Sequence, residues 1–177
     1  MSRVLIAYGT TEGQTAKIAG HIGERLKQLG HEATVVLASE AGDLELADFD
    51  AVIVGASLHE GRYQREVRRF IEAHRAVPDG MPGAFFSVSL GAVSDDPAER
   101  AEVEEAMQKF CSSCGWQPTL MRSFAGALRY TQYSWLKRKI MQHIVAKEGG
   151  PTDSTQDFEF TDWEDVSRFA EEIVATA

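Results

Sequence analysis

Residues 4–15 read VLIAYGTTEGQT, and this stretch decides the fold of the chain. Its first part, Val4 to Tyr8, is an apolar run without polar alternation, which is typical of a strand buried on both faces of a sheet. A turn rich in glycine and threonine follows over residues 9–15. Beyond the turn, apolar residues recur at spacings of four, four and three, which predicts a helix. These residues are Ile18, Ile22, Leu26 and Leu29.

The alternation of strand and helix continues along the chain. Further apolar runs predict strands at 33–37, 51–54, 84–88 and 119–124. Amphipathic segments between them predict helices, and the last helix begins at Thr161–Glu164 with the spacing of a capping box. Strands joined by helices imply right-handed crossovers and a parallel sheet covered on both faces. We therefore predict an α/β fold with a doubly wound five-stranded sheet in the order 2-1-3-4-5, which binds ligands beyond the carboxyl ends of its strands.

The composition indicates one globular domain over residues 1–177. Of the 177 residues, 44% are hydrophobic and 25% are charged, which is ordinary for a folded domain. The formal net charge of −9 argues against a nucleic-acid partner, because an acidic surface repels phosphate backbones. No apolar run approaches the ~20 residues that cross a bilayer, and the N-terminus does not resemble a signal peptide. We therefore expect a cytoplasmic protein.

A long segment separates the fifth strand from the last helix. Residues 125–160 stand where a plain α/β unit needs only a short loop. We interpret the excess as a functional insertion or a lid. It is predicted to contain a loop at 126–132, a basic helix at 133–147 and a return rich in Gly, Pro and Asp at 148–157.

The turn after the first strand has the character of a phosphate site. A helix N-terminus presents unpaired N–H groups and partial positive charge, so it can bind a phosphate without a lysine. The hydroxyls of Thr10, Thr11 and Thr15 would add donors, and Gly13 would let the backbone approach a ligand closely. The turn lacks the Walker A and dinucleotide patterns, which favours a mononucleotide phosphate. The alternative is an ordinary strand-to-helix turn capped by threonine.

The pattern Thr10-x-x-Gly13-x-Thr15 behind an apolar strand resembles the FMN phosphate loop of the flavodoxin family. The resemblance implies a flavodoxin-like fold and a cofactor-binding turn. Its residues are Thr10, Thr11, Glu12, Gly13, Gln14 and Thr15. Glu12 departs from the family pattern, because an acid beside a phosphate is unfavourable unless it faces away. It could instead cap the helix.

A flavin ring needs flat, partly apolar walls and backbone donors, which the loops after strands three and four would supply. The expected ring-binding residues are Ser57, Leu58, His59, Gly61, Tyr63, Ser87, Val88, Ser89, Leu90 and Gly91. Tyr63 could stack on the ring or pack in the core, and His59 is interpreted as a solvated loop residue. The resemblance alone implies that Gly61 permits the peptide rotation that accompanies flavin reduction in flavodoxins.

Five blocks together resemble one branch of this family, and they span nearly the whole chain. They are Glu12–Thr15, Gly55–Ser57, Met81–Val88, Gly126–Tyr130 and Thr161–Glu164. The set resembles the menaquinone-dependent protoporphyrinogen oxidases (protoporphyrinogen IX dehydrogenases) of bacterial haem synthesis. The resemblance implies that FMN oxidises protoporphyrinogen IX in two-electron steps and that menaquinone or a related quinone reoxidises the flavin. The alternatives are a flavodoxin-type electron carrier, a general flavin-dependent quinone reductase and a scaffold that has lost FMN.

The inserted segment carries residue types that suit a porphyrinogen, which is a broad apolar disc with two propionates. The expected substrate-binding residues are Arg129, Tyr130, Tyr133, Trp135 and Arg138. The arginines would pair with carboxylates and the aromatic rings would cover the disc. Alternatively, the apolar residues only pack the extra helix on the body and the cations are solvated. The basic helix at 133–147 could also rest on a membrane surface, where its cations would meet anionic headgroups.

Two cysteines, Cys111 and Cys114, lie at a helix end and continue its apolar stripe. This position favours buried thiols over a redox pair, which would open a helix. Two cysteines make only half of a zinc site, and the five histidines show no ligand spacing, so no metal is predicted.

Overall fold

Five parallel strands form the central sheet in the computed structural model, which describes residues 1–42, 44–74, 81–147 and 149–176. The strands are β1 (Arg3–Tyr8), β2 (Glu32–Leu37), β3 (Ala51–Ser57), β4 (Gly83–Ser89) and β5 (Leu120–Ala125). Their order in the sheet is β2-β1-β3-β4-β5, and all neighbouring pairs are parallel. The predicted doubly wound order is confirmed.

Helices cover both faces of this sheet. They are α1 (Gln14–Gln28), α2 (Arg65–Ala73), α3 (Pro97–Ser113) and α5 (Trp163–Ala175). A further helix, α4 (Trp135–Lys147), lies in the inserted segment. Helices α1 and α5 contribute to one buried cluster, which includes Phe86 of β4. Helices α2 and α3 contribute to the cluster on the opposite face, which includes Phe85. Because neighbouring side chains on a strand point to opposite faces, β4 anchors both halves of the core.

Gly55 gives a phenylalanine ring room to cross β3. Gly55 is the register partner of Phe86 on β4. A Cβ atom built on Gly55 would lie 2.1 Å from Cζ of Phe86, well inside van der Waals contact. The position therefore accepts glycine because the ring occupies the space of any side chain.

The last helix is capped differently from the prediction. Its N-cap is Asp162, whose carboxylate accepts hydrogen bonds from the backbone N–H groups of Glu164 and Asp165. The predicted capping residue, Thr161, instead donates its hydroxyl to the carbonyl of Ala125 at 2.7 Å. The expectation that the capping box begins at Thr161 is wrong, because a bond to the end of β5 holds that hydroxyl.

The inserted segment is more ordered at its ends than predicted. The expected loop at 126–132 contains a short strand, β6 (Ala127–Leu128), and one turn of 3₁₀ helix at Tyr130–Gln132. Strand β6 pairs antiparallel with β7 (Phe158–Glu159). This correction has a physical reason: the pairing joins residues about 30 positions apart, which no local pattern reveals.

The helix of the insertion packs on a small core of its own. Leu128, Tyr130, Tyr133 and Val145 form this cluster. Tyr130 is fully buried, and its hydroxyl donates to the carbonyl of Pro151 at 3.0 Å. Within the described ranges, no helix combines the length and apolar character that a membrane span requires.

The two cysteines are free and buried, as predicted. Burial, with the neighbouring Cys114, raises the pKa of the Cys111 thiol to about 12. A thiol with such a pKa stays protonated and behaves as an apolar core group.

We expect Gly55→Ala to lower the free energy of unfolding by about 1–3 kcal/mol, because the new methyl group overpacks the Phe86 ring. The measurement is denaturant unfolding followed by circular dichroism. Gly20→Ala is the matched control: this glycine lies within α1 with no atom near its missing Cβ, and alanine should stabilise the helix by about 0.5–1 kcal/mol. Equal stabilities for the two variants would contradict the packing argument.

Candidate functional site

A crevice of about 690 Å³ opens at the carboxyl edge of the sheet. The loops after β1, β3 and β4 supply most of its lining. The predicted cofactor-binding residues that line it are Thr10, Thr11, Glu12, Gln14, Thr15, Ser57, Leu58, His59, Gly61, Val88, Ser89, Leu90 and Gly91. The three other predicted residues, Gly13, Tyr63 and Ser87, are not part of this lining.

The start of α1 forms one end of this crevice. Gly13 is the N-cap residue and adopts a left-handed conformation, with φ of 90°. Its N–H donates to the hydroxyl of Thr10 at 3.0 Å, and no side chain in the described part of the chain caps the helix. The first amides of α1 are therefore available to an anion, which the helix dipole would also attract.

Two buried hydroxyls lack partners along the crevice. Oγ of Thr15 and of Ser89 are both buried without a hydrogen-bond partner among the described residues. A buried hydroxyl without a partner costs free energy, so such groups usually bond to a ligand or to water. One lies beside the helix start and the other at the end of β4. A ligand with polar groups at both ends, such as a flavin mononucleotide, fits this arrangement.

Gln64 connects the turn after β1 with the loop after β3, and sequence reasoning missed it. Its Nε2 donates to Thr11 Oγ1 at 3.0 Å and to Ser57 Oγ, and its Oε1 accepts from the Ser57 N–H at 3.2 Å. Gln64 thus holds the two loops together. Its position as the N-cap of α2 was the available signal, but the sequence does not show which loop its side chain reaches.

The loop after β3 ends in a tight hairpin turn. His59 and Arg62 exchange backbone hydrogen bonds of 3.0 and 2.9 Å. The two central residues, Glu60 and Gly61, both have positive φ, at 50° and 73°. Positive φ at both positions defines a type I′ turn, which costs a non-glycine residue such as Glu60 about 1–2 kcal/mol. Gly61 is therefore the residue that the second position favours.

Tyr63 packs beneath the crevice. Its hydroxyl donates to Ser87 Oγ at 2.9 Å, and its ring centroid lies 4.6 Å from that of Phe110 and 5.5 Å from that of Phe85. Burial raises the pKa of Tyr63 to about 12, so its hydroxyl remains a donor. Of the two roles considered from the sequence, these contacts correspond to core packing.

Arg129 ties the inserted segment to the start of α1. Its Nη2 donates to Oε1 of Gln14 at 2.7 Å. Its guanidinium also lies 3.7 Å from the carboxylate of Asp157 and 3.5 Å from that of Glu159. Burial alone would raise the pKa of Asp157, but hydrogen bonds from Thr131 and the charge of Arg129 outweigh it and hold that pKa below its ordinary value. The cation is thus already compensated by two carboxylates.

Tyr133 brings the inserted segment to the crevice. Its hydroxyl donates to Oε2 of Glu12 at 2.8 Å, so Glu12 faces the insertion. Burial, followed by this hydrogen bond, raises the pKa of Tyr133 and keeps its hydroxyl protonated. Of the five predicted substrate-binding residues, all of which the structure describes, Tyr133 is the one that lines the crevice.

The other predicted substrate residues lie elsewhere in the insertion. Tyr130 is in its small core. Trp135 is 74% exposed at the start of α4. Arg138 is half-buried and donates from Nη2 to the carbonyl of Tyr133 at 3.3 Å.

Helix α3 forms a wall of the crevice that sequence reasoning missed. The unpredicted lining residues are Glu60, Glu99, Glu102, Val103, Ala106, Gly126, Ala127 and Met141. Four of them belong to α3, whose apolar stripe was visible in the sequence but whose distance from the crevice was not. The insertion contributes Ala127 and Met141, which add an apolar border.

Comparison with known proteins agrees with this geometry. A family model described as a flavodoxin domain matches residues 5–155. Among solved structures, oxidised flavodoxin 1 from Bacillus cereus has a TM-score of 0.59 at 17% identity, and the match covers 98% of each chain. The fold and family imply a flavin cofactor.

Two relatives share more of the sequence. The protoporphyrinogen IX dehydrogenase (quinone) of Escherichia coli strain K12 is 35% identical over 172 residues, which cover 97% of this chain and 94% of that protein. The protein of the same name from Leishmania major is 34% identical over 174 residues, which cover 98% of this chain and 75% of that protein. The chain belongs to the flavodoxin family and, within it, to the branch of these dehydrogenases. The relatives are oxidoreductases by name, which confirms the predicted class of enzyme.

We expect Gly61→Ala to lower the free energy of unfolding by about 1 kcal/mol, because the left-handed backbone disfavours a Cβ although nothing lies near it. Glu60→Gly removes the steric cost of positive φ at the neighbouring position and should raise the free energy of unfolding by less than about 1 kcal/mol. Thermal unfolding of both variants measures the two effects. We expect the two changes in stability to have opposite signs. A loss of stability in both variants would contradict the conclusion that the type I′ turn strains the backbone of Glu60.

Proposed function

We propose that the chain binds FMN and oxidises protoporphyrinogen IX to protoporphyrin IX, with menaquinone or a related quinone as the electron acceptor. The observation that carries the proposal is the start of α1 beside the hydroxyl of Thr15, both without a side-chain partner among the described residues, in a chain related over nearly its whole length to dehydrogenases of that name. When bound, FMN would take up two electrons from the porphyrinogen and deliver them to the quinone. Each step would remove two hydrogens from the porphyrinogen and reduce one quinone to its quinol.

The residues of the crevice have separate tasks in this proposal. Thr10, Thr11 and the turn Gly13–Thr15 would hold the phosphate through hydroxyls and amides. The turn at 58–61 and the loop at 88–91 would flank the ring. Tyr133 would close the crevice from the insertion, since its hydroxyl is held by Glu12.

Acidic side chains at the crevice favour a second candidate function. Glu60, Glu99 and Glu102 line it, and an acidic border suits electron exchange with a basic protein partner. The alternative is therefore a flavodoxin-type carrier or a general flavin-dependent quinone reductase. An electron carrier does not need the insertion beside the crevice, and the relatives over nearly the whole chain are named protoporphyrinogen IX dehydrogenases, which is why we favour the porphyrinogen oxidase.

The test begins with FMN uptake and continues with an anaerobic assay. The purified protein should bind FMN and form protoporphyrin from protoporphyrinogen IX with a menaquinone analogue. Thr15→Val should weaken FMN binding about tenfold, because a hydrogen bond to a charged phosphate is lost. Thr34→Val, on the exposed side of edge strand β2, is the control and should leave FMN affinity unchanged.

The outcomes separate the candidate functions. Quinone reduction without porphyrinogen oxidation would leave the carrier or general reductase. A protein that takes up no FMN, or a Thr15→Val variant with unchanged FMN affinity, would contradict the proposed phosphate site.

We also propose a cytoplasmic protein that touches the membrane through α4. The sequence of this helix contains no acidic residue, and Trp135, Lys139 and Lys147 are exposed on it. An aromatic ring among cations suits an anionic lipid surface, where a quinone acceptor is available.

Neutralising the exposed lysines of α4 tests this contact. Lys139→Gln combined with Lys147→Gln should reduce binding to anionic vesicles roughly tenfold or more, at about 1 kcal/mol for each cation. Sedimentation with vesicles of mixed neutral and anionic phospholipid measures it. Lys27→Gln combined with Arg69→Gln removes the same charge elsewhere. If both double variants bind like the parent protein, α4 is not the contact.

A further inference from the structure

A second groove, of about 580 Å³, lies between α2 and α3 and continues from the crevice. Gly61, Glu102 and Ala106 line both cavities, so a ligand can extend from one into the other. None of the substrate-binding residues expected from the sequence borders this groove.

The groove is positively charged on an acidic protein. Four cations border it, and two carboxylates oppose them. The cations are Arg62, Arg65, Arg68 and Lys109, and the carboxylates are Glu102 and Glu105. This local excess of positive charge stands on a chain of net charge −9 and favours an anionic ligand.

Two of the four cations are already engaged. Arg68 lies 3.6 Å from the carboxylate of Glu72, donates to Ser113 Oγ at 3.0 Å and stacks 5.2 Å from the ring centroid of Phe110. Lys109 lies 2.7 Å from the carboxylate of Glu105. These contacts form the wall of the groove and leave Arg62 and Arg65 as the candidates for a ligand.

Arg62 and Arg65 are exposed and available. Within residues 1–42, 44–74, 81–147 and 149–176, neither guanidinium has a hydrogen bond or an ion pair. The type I′ turn fixes the backbone of Arg62 directly after Gly61, and Arg65 is the first residue of α2. A guanidinium can bind a carboxylate through two parallel hydrogen bonds.

The floor of the groove is apolar. The rings of Tyr63 and Phe110 border it together with the methyl group of Ala106. The hydroxyl of Tyr63 is held by Ser87, so the phenol ring offers its carbon surface. An apolar floor beside the exposed guanidiniums of Arg62 and Arg65 suits a large apolar ring system that carries carboxylates.

We infer that Arg62 and Arg65 bind the propionate carboxylates of the porphyrinogen. The inference rests on the proposed function, because it assumes a tetrapyrrole substrate whose ring system lies at the junction of crevice and groove. It places the carboxylate site away from Arg129, whose guanidinium already contacts Asp157 and Glu159. Glu102, at the junction on the α3 side, repels the carboxylates and orients them towards α2.

The test uses the FMN-loaded protein with Arg62→Gln combined with Arg65→Gln. The KM for protoporphyrinogen IX should rise about tenfold, as expected for two partly exposed ion pairs, while kcat should change little. Arg69→Gln, on the same helix but outside the groove, is the control and should keep the parent KM. FMN content reports whether each variant is folded and loaded.

The dimethyl ester of the substrate makes the test specific for carboxylates. For the parent protein, esterification should raise KM by about the same factor as the double substitution. For the double variant, esterification should add nothing further, because the partners are already absent. Additive effects, or an unchanged KM in the double variant, would overturn the inference.

Binding of the product distinguishes this inference from the proposed function. Quenching of protoporphyrin IX fluorescence by the FMN-loaded protein measures affinity without turnover. If neither the parent protein nor any variant oxidises the porphyrinogen, the proposed function fails. The binding data then decide whether the groove binds the carboxylates of the tetrapyrrole. Weaker binding in the double variant than in Arg69→Gln would uphold it, whereas equal binding, or none by the parent protein, would overturn it.

Discussion

The candidate site depends on the start of α1, whose amides carry partial positive charge at the edge of the crevice. Helix α1 begins at the carboxyl edge of the sheet behind Gly13, and its first amides meet no capping side chain within the described ranges. Amides in this position carry partial positive charge and need an acceptor. The order of the sheet places this helix start beside the loops after β3 and β4, so that all three border one crevice. The family relationship and the position of the crevice therefore both point to the start of α1 and the loops beside it.

The inserted segment, together with Thr161 directly after it, adds a second constraint on the same helix start. Arg129 bonds to Gln14, Tyr133 bonds to Glu12, and Thr161 accepts a hydrogen bond from Gln14 at 2.8 Å. All three bonds end on the first residues of α1 or the turn before it. These short polar contacts couple the conformation of the insertion to that of the turn before α1. A change in one conformation therefore alters the other.

Much of the fold could be predicted from the sequence, because unbroken apolar runs mark strands buried on both faces. The turn between β1 and α1 could also be placed, since its position between strand and helix is local information, whereas its binding of a phosphate stays a prediction. Which arginines stay free of carboxylates could not be predicted. Arg129 and Arg62 are the same residue type, and their difference lies in the carboxylates that fold back from β7 onto one and not the other. Tyr63 fits a core stripe and a cofactor wall equally well until its contact with Ser87 is known. Long-range contacts decide these roles.

The antiparallel pairing of β6 with β7 has an evolutionary consequence. The two strands bring the entrance and the exit of the insertion side by side. Residues can therefore be gained or lost between β6 and β7 without altering the distance between β5 and α5. Such an arrangement lets a lineage lengthen or shorten the segment between β6 and β7 while the five-stranded sheet keeps its form, and only the loss of Arg129 or Tyr133 would remove the bonds to Gln14 and Glu12.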